Sequence, residues 1–331
     1  MKALILAAGL GTRLRPITSF IPKPLLPVFG VPIIEINIRL LRDQGIKEFF
    51  VNLHHMPWQI VQHLKDGSNL GVHVRYSLEP KLLGTAGAIK KLESDLRDSP
   101  FLVVNADTFR PLPLRELVER HEQSGGLVTL LLQENHQLSP KRSVCLDQKG
   151  EVVAFLDMFG NELNDEVMRC DFLGVQVMEP EILSMIPPDR PWEVHRLYIR
   201  LWESGKRIVG HCQEGYWKDL GTLEAYREIH WDGLQGRASM GIPGEQKGPG
   251  LWIGSDAHLA SDVRLIAPVF VDSLARIESG ACVGPFAVVG RGCWIGSGAW
   301  VRESILWEEA RVEPGAVVCR RLVASGFNHS L

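Results

Sequence analysis

The stretch Ala3-Leu-Ile-Leu-Ala-Ala-Gly9-Leu-Gly11-Thr-Arg13-Leu-Arg-Pro16, followed by Ile21-Pro-Lys23-Pro-Leu-Leu-Pro-Val28, decides how this chain is read. An apolar run over 3–8 breaks into a glycine loop that carries an arginine, and a lysine follows between two prolines. The run reads as a buried strand, and Gly9 and Gly11 let the backbone approach a ligand closely. Exposed loop amides form a nest for anions, and Arg13 and Lys23 add full positive charge beside it. Spacing excludes two other phosphate loops. A P-loop needs four residues between its glycines and then Lys-Ser/Thr, whereas only Leu10 separates Gly9 from Gly11. The dinucleotide fingerprint needs a third glycine where Leu14 stands.

Outward from this loop, strand and helix patterns alternate. Strand-like runs fall at 2–7, 49–53, 73–77, 101–105 and 127–132, with helical patterns near 33–44, 58–65, 85–93 and 114–123. Such alternation predicts right-handed βαβ units in an α/β domain, built on a doubly wound, mostly parallel (Rossmann-like) sheet. Ligands of these sheets bind at the carboxyl ends of the strands, where loop 9–13 sits. The stretch from 144 to about 209 is less regular and is expected to add a lobe.

Residues 236–250 hold five glycines and two prolines and read as a linker after a first domain of 1–235. Beyond it, Ile253, Leu259, Leu265, Val271, Ile277, Val283, Val289, Ile295 and Val301 recur at a strict spacing of six. Four positions after each sits Ala257, Val263, Val269, Ala275, Ala281, Ala287, Cys293, Ala299 or Ile305, nearly all small. One large and one small inward position per six residues predicts a hexapeptide β-helix over 251–322, leaving 323–331 as a tail. Similarity to hexapeptide-repeat proteins implies a left-handed coil. The register fails at Trp307 and resumes one residue early at Val312. Trp252, Trp294, Trp300 and Trp307 read as packing on the coil's outer face or end, with a subunit contact as the sharper alternative.

Bulk properties narrow the classes. A net charge of −3 on 331 residues gives no general attraction to nucleic acid or an anionic membrane. No apolar run reaches a membrane-spanning length, and the 3–8 run is too short for a signal peptide. Six scattered cysteines without a C-x-x-C pair read as reduced thiols of a cytoplasmic protein.

Two carboxylates stand where chemistry at a polyphosphate would use them. Asp107 closes the apolar run Leu102-Val-Val-Asn-Ala-Asp107, and Asp219 lies in Gly215-Tyr-Trp-Lys-Asp219-Leu-Gly221-Thr222. Either alone is as readily a helix cap. Residues 6–28 closely resemble the signature of the sugar nucleotidyltransferases, or nucleotide-sugar pyrophosphorylases, and the two Asp motifs resemble that family's metal-binding pair. The resemblance implies that Leu6, Ala8, Gly9, Gly11, Thr12 and Arg13 wrap a nucleoside triphosphate. It further implies that Arg13 holds the leaving pyrophosphate, that Lys23 holds the reacting α-phosphate, and that Asp107 and Asp219 carry Mg²⁺. Catalysis would then fall to Arg13, Lys23 and Asp107, in transfer to a sugar 1-phosphate.

Glu79 with Gly84 and Thr85 lies in Glu79-Pro-Lys-Leu-Leu-Gly84-Thr85-Ala-Gly87, which looks like the L-G-T-A-G segment of mannose-1-phosphate guanylyltransferases. A carboxylate there suits the N–H donors of guanine, but capping of local backbone is the plainer role, and related uridylyltransferases also place Glu nearby. The acceptor side departs from the pattern. The family's F-x-E-K is Phe155-Leu-Asp157-Met158 here, and its N-A-G is Phe172-Leu-Gly174. Asp157, Gly174 and Asp219 remain the expected contacts of the sugar phosphate. Lys141, Arg142, Arg169 or Lys218 would have to replace the missing lysine. Uridylyltransferases acting on N-acetylmuramic acid 1-phosphate show a similar F-x-G. The leading expectation is a mannose-1-phosphate guanylyltransferase-like enzyme that assembles as a homo-oligomer through its β-helix. A uridylyltransferase of a hexose or amino-sugar 1-phosphate and a catalytically weak scaffold homologue are the alternatives. An acyltransferase in the β-helix is disfavoured, since only His258 and His329 lie there.

Overall fold

The computed structural model describes residues 1–109, 112–135, 143–155 and 167–331. The chain packs as two compact units: 1–25 with 34–217, and 26–33 with 218–331.

The first unit is built on one mixed sheet. Its strands are β1 (Lys2–Leu6), β2 (Glu48–Leu53), β3 (His73–Leu78), β4 (Phe101–Asn105), β5 (Val128–Glu134), β6 (Ser143–Leu146), β7 (Val152–Phe155), β8 (Met168–Met178) and β9 (Ile208–Cys212). Strands β3, β2, β1 and β4 lie side by side and parallel, in the order of a doubly wound fold. Beyond β4 the sheet turns antiparallel at β8. The stretch expected as a lobe extends this sheet. One side of β8 pairs with β4 and then β6, the other with β5, and β7 and β9 close the edges. Its irregular sequence texture reflects antiparallel hairpins and a register shift in β8 between Phe172 and Gln176.

The alternation of side chains across each strand creates two cores. Ala3, Ile5, Phe49, Val51, Leu102 and Val104 face one of them, shared with helices α1 (Ile33–Asp43), α2 (Pro57–Leu64) and α5 (Leu114–Ser124). Leu4, Phe50, Phe101 and Val103 face the other, shared with α3 (Gly84–Lys91), α4 (Glu93–Leu96) and α6 (Val194–Glu203). Burial on both faces is why these strands read as continuous apolar runs. Among the described residues no helix is long and apolar enough to cross a membrane.

The second unit joins the hairpin Pro27–Val28/Val31–Pro32, helix α7 (Leu223–Leu234) and a parallel β-helix. Thr222 caps α7, its hydroxyl accepting the Ala225 amide at 3.1 Å. The coil stacks short strands into three parallel ladders, exemplified by Leu251–Ile253 on Val269–Val271, His258–Leu259 on Arg276–Ile277, and Arg264–Leu265 on Cys282–Val283. Val271, Ile277, Val283, Val289, Ile295 and Val301 fill its interior, with Ala275, Ala281, Ala287, Cys293 and Ala299 between them. Where coils touch at the corners there is no room for a side chain: a Cβ on Gly284 would lie 1.9 Å from the Ile266 carbonyl oxygen. The dropped residue lies earlier than the sequence suggests. Val283 pairs with Val301 in the old register, and Ala287 already pairs with Ser304 in the new one. The slip is absorbed at the corner 302–303. Ser304, fully buried, therefore takes the small position expected for Ile305, and Leu306 takes the aliphatic one. Strand Phe327–Ser330 folds back on Arg321–Ala324 and ends the coil.

Candidate active site

In the first unit, three segments leave neighbouring strand ends. Leu6 sits between Asn52 and Asn105 in the sheet, so the loops after β1, β2 and β4 emerge side by side. The loop after β1 carries Ala8, Gly9, Gly11, Thr12 and Arg13. Gly9 is open, with nothing within 4 Å of where a Cβ would be. Gly11 is different. Its φ is +61°, and a Cβ there would meet Thr18 Cγ2 at 2.8 Å, so the turn excludes side chains. The Thr18 hydroxyl donates to the Gly11 carbonyl at 2.9 Å, and His55 Nε2 donates to the Thr18 carbonyl at 2.8 Å. This staples the loop's return and leaves Thr12 and Arg13 exposed on its outer rim.

Lys23 and Asp107, 84 residues apart in sequence, are brought together: the Lys23 ammonium donates to Asp107 Oδ2. The lysine is buried, 8% exposed, which makes a paired carboxylate the natural companion of its charge. A buried helix residue not singled out in the sequence flanks the other half of this pair. Asn37 of α1, 3% exposed, donates its amide to the carbonyls of Ala106 at 3.4 Å and Thr108 at 3.1 Å, on either side of Asp107. The available signal was one polar residue on a helix face otherwise made of Ile33, Ile34, Ile38 and Leu41.

Asn52 was missed as well. Its side-chain oxygen accepts the Ala7 amide at 2.7 Å, and its nitrogen donates to Glu79 Oε1 at 2.9 Å. Glu79 is 1% exposed. Its other carboxylate oxygen accepts the Leu83 amide at 2.9 Å, and its carbonyl accepts from His54 Nδ1 at 2.7 Å. Of the two roles offered for Glu79, these bonds are of the backbone-holding kind. The carboxylate ties the end of β2 to the start of the 83–87 segment. That segment is pressed on 192–193: Trp192 N donates to Leu83 O at 2.7 Å and Gly87 N to Trp192 O at 3.0 Å. At Gly84, φ is +68° and a Cβ would meet Glu193 Oε1 at 2.7 Å. The Thr85 hydroxyl donates to Glu193 Oε2 at 3.2 Å and accepts the Val194 amide at 2.7 Å.

On the acceptor side, Gly174 abuts the end of β4. Its φ is +77°, and a Cβ would meet Asn105 Nδ2 at 2.9 Å, so only glycine lets β8 pass Asn105 here. Asp157, Met158, Lys141 and Arg142 lie outside the described residues. Arg169 is exposed on β8. Asp219 belongs to the second unit, half-buried three residues before the cap of α7. Its neighbour Lys218 is held by Glu228 at 2.8 Å and Asp232 at 3.6 Å, which occupies one of the candidates for the missing lysine. Among the described residues no three His, Cys, Asp or Glu side chains gather as a protein-only metal cage. A hard cation such as Mg²⁺ takes few protein ligands and completes its shell with phosphate oxygens and water.

A family model described as Nucleotidyl transferase matches residues 2–157. The chain is 32% identical over 275 residues to a UTP–glucose-1-phosphate uridylyltransferase of Synechocystis sp., covering 77% of this chain and 69% of that protein. It is 31% identical over 228 residues to a mannose-1-phosphate guanylyltransferase of Mycobacterium tuberculosis, covering 68% and 62%. A mannose-1-phosphate guanyltransferase of Saccharomyces cerevisiae is 30% identical over 224 residues, covering 67% and 61%. Among solved structures, HddC from Yersinia pseudotuberculosis, crystallised with GMP-PN, matches with a TM-score of 0.59 at 23% identity, over 70% of this chain and 98% of that one. At that identity the likeness speaks for the fold alone.

Proposed function

The chain belongs to the nucleotidyl transferase family, and from that premise we propose that it joins a nucleoside triphosphate to a sugar 1-phosphate, releasing pyrophosphate. The observation that carries this reading is the Lys23–Asp107 pair beside an open glycine loop at the ends of adjacent parallel strands. A phosphate oxygen of the sugar 1-phosphate attacks the α-phosphorus, a new P–O bond forms, and the bond to the β-phosphate oxygen breaks as pyrophosphate leaves. That oxygen is already anionic at neutral pH, so no general base is required. The work is alignment and charge cancellation. Lys23 meets the α-phosphate, and Arg13 meets the departing pyrophosphate from the loop rim. Mg²⁺ held by Asp107 and Asp219 would supply neutralisation of the polyphosphate. Gly174 and Asp219, with Asp157, serve the sugar phosphate. Residues 1–235 carry the chemistry.

We assign guanine as the base and mannose 1-phosphate as the acceptor, in keeping with the guanylyltransferases among the relatives. The uridylyltransferase reading keeps its own support, since a relative matched over 77% of this chain bears that name. The six free thiols suit a reducing cytoplasm. Self-association through the β-helix is supported by Trp300, 51% exposed, beside Val317, 74% exposed, on one ladder of the coil. The deciding experiment is a matrix of five nucleoside triphosphates against a panel of sugar 1-phosphates, scored by pyrophosphate release. Turnover with GTP and mannose 1-phosphate is expected. Preference for UTP would replace the base assignment, and silence across the matrix would defeat the reaction itself.

A further inference from the structure

The hairpin that follows Lys23 belongs by packing to the second unit, together with α7 and the coil. Its turn is unusual. Phe29 and Gly30 both have positive φ, at +48° and +81°, as a tight two-residue hairpin requires. A bulky side chain rarely accepts that conformation, so something must hold it. The Phe29 ring is 2% exposed and stands edge-on to Phe270 of the coil, centroids 5.4 Å apart. The Phe29 amide donates to His230 Nε2 at 3.4 Å, and His230 Nδ1 donates to the Tyr226 carbonyl at 2.8 Å. Beside this, a relay runs from the coil to the hairpin. Trp307 Nε1 donates to the Tyr226 hydroxyl at 2.9 Å, and that hydroxyl donates to the Pro27 carbonyl at 2.6 Å. Tyr226 is fully buried, so neither bond has water as a ready substitute.

Lys23-Pro24-Leu25-Leu26-Pro27 is the link to chemistry. Lys23–Leu25 forms a short 3₁₀ turn, and the two prolines fix their own φ, so little slack separates the lysine from the anchored carbonyl. We propose that Tyr226, itself held by Trp307, is a positioning residue for Lys23, acting through the short chain from Lys23 to the Pro27 carbonyl. This rests on the nucleotidyl-transfer reading above.

The test uses the full chain with Tyr226→Phe, Trp307→Phe and both together. Pyrophosphate-release kinetics are measured beside hydrogen exchange at residues 26–33. Tyr226→Phe should lower kcat about tenfold at nearly constant KM for the triphosphate, the size of one lost buried hydrogen bond. It should also speed exchange of the hairpin amides. Trp307→Phe should do less, because the Tyr226–Pro27 bond survives. The double variant should match Tyr226→Phe alone, because the two bonds act in series. Wild-type kcat and wild-type hairpin exchange in Tyr226→Phe would overturn the proposal. So would additive losses of melting temperature with kcat unchanged, which mark a purely structural role. An inactive wild-type chain would instead count against the reaction, and the exchange measurement would still judge the relay.

Discussion

The loops at the ends of β1, β2 and β4 and the coil beyond residue 250 are ordered by opposite means. Each loop is fixed by one or two buried polar side chains with specific partners: Thr18 for the glycine loop, Asn52 and Glu79 for the 83–87 segment, Asn37 for the turn at Asp107. The coil interior is aliphatic or small almost throughout, and its order comes from repetition. The coil accordingly loses a residue at 302–303 and restores its stack within one strand. No comparable tolerance exists at the loops, where a lost donor strands a buried acceptor. Site geometry is thus written in single residues, and coil geometry in a pattern.

The sharpest way to break this contrast is at the Lys23–Asp107 pair. Lys23→Ala or Asp107→Ala should reduce turnover roughly 10²–10³-fold, the usual loss when one group aimed at transition-state charge is removed. Circular dichroism should remain that of the parent chain. Turnover near the parent's in either purified variant would remove these residues from the chemistry.

The next test turns on His230, a buried polar residue at which the second unit behaves like the loops. A backbone amide must donate to its Nε2 and a backbone carbonyl must accept from its Nδ1, so the ring is neutral with the proton on Nδ1. Burial pushes its pKa down to about 4. The unfolded chain, titrating near 6.5, then binds more protons than the folded one between those values. Stability from this group is whole above about pH 6.5 and declines as pH falls towards 4. The full loss is about 3 kcal/mol. Urea unfolding at pH 7.5, 5.5 and 4.5 measures it. His230→Gln should flatten that part of the profile, and an unchanged slope in the variant would assign the acid sensitivity elsewhere.

A smaller effect separates position from chemistry at the loops. Asn37→Ala should cost about 1–3 kcal/mol, because two carbonyls buried beside Asp107 lose their donor. Turnover should fall far less than in Asp107→Ala. Equal losses in the two variants would mean that Asn37 does more than hold the turn.

What could be read from the sequence follows the same division. Strands β1 to β4 and their helices lie within a few residues of the expected bounds, because a continuous apolar run or a helical stripe is a local signal. Lys23, Asp107 and the glycine loop were legible as residue types suited to phosphates. Their pairing was not legible, nor were Asn37 and Asn52, whose partners are distant in sequence. For residues 144–209 only the irregular texture was legible, because antiparallel strands joining a parallel sheet carry no marker of which edge they join. The coil slip was seen but placed late. Leu306 and Val312 again stand six apart, and Ile305 satisfies the old spacing, so only the observed pairing of Ala287 with Ser304 locates it.

The mildest prediction asks whether the coil's outer face does anything its interior does not. Trp300→Ser removes a half-exposed ring whose ladder neighbour is Val317. Away from the packed interior such a change should alter stability by no more than about 0.5 kcal/mol. Ala281→Leu on the same coil is the control, since forcing extra methylenes into the stack should cost about 1–3 kcal/mol. If the ladder is a subunit contact, Trp300→Ser lowers the mass seen by light scattering while the melting point holds, and Ala281→Leu does the reverse. A wild-type chain that is monomeric at all concentrations, or an assembly indifferent to Trp300→Ser, would leave the ladder as plain surface. In that case the coil's contribution would lie in its hold on the hairpin after Lys23.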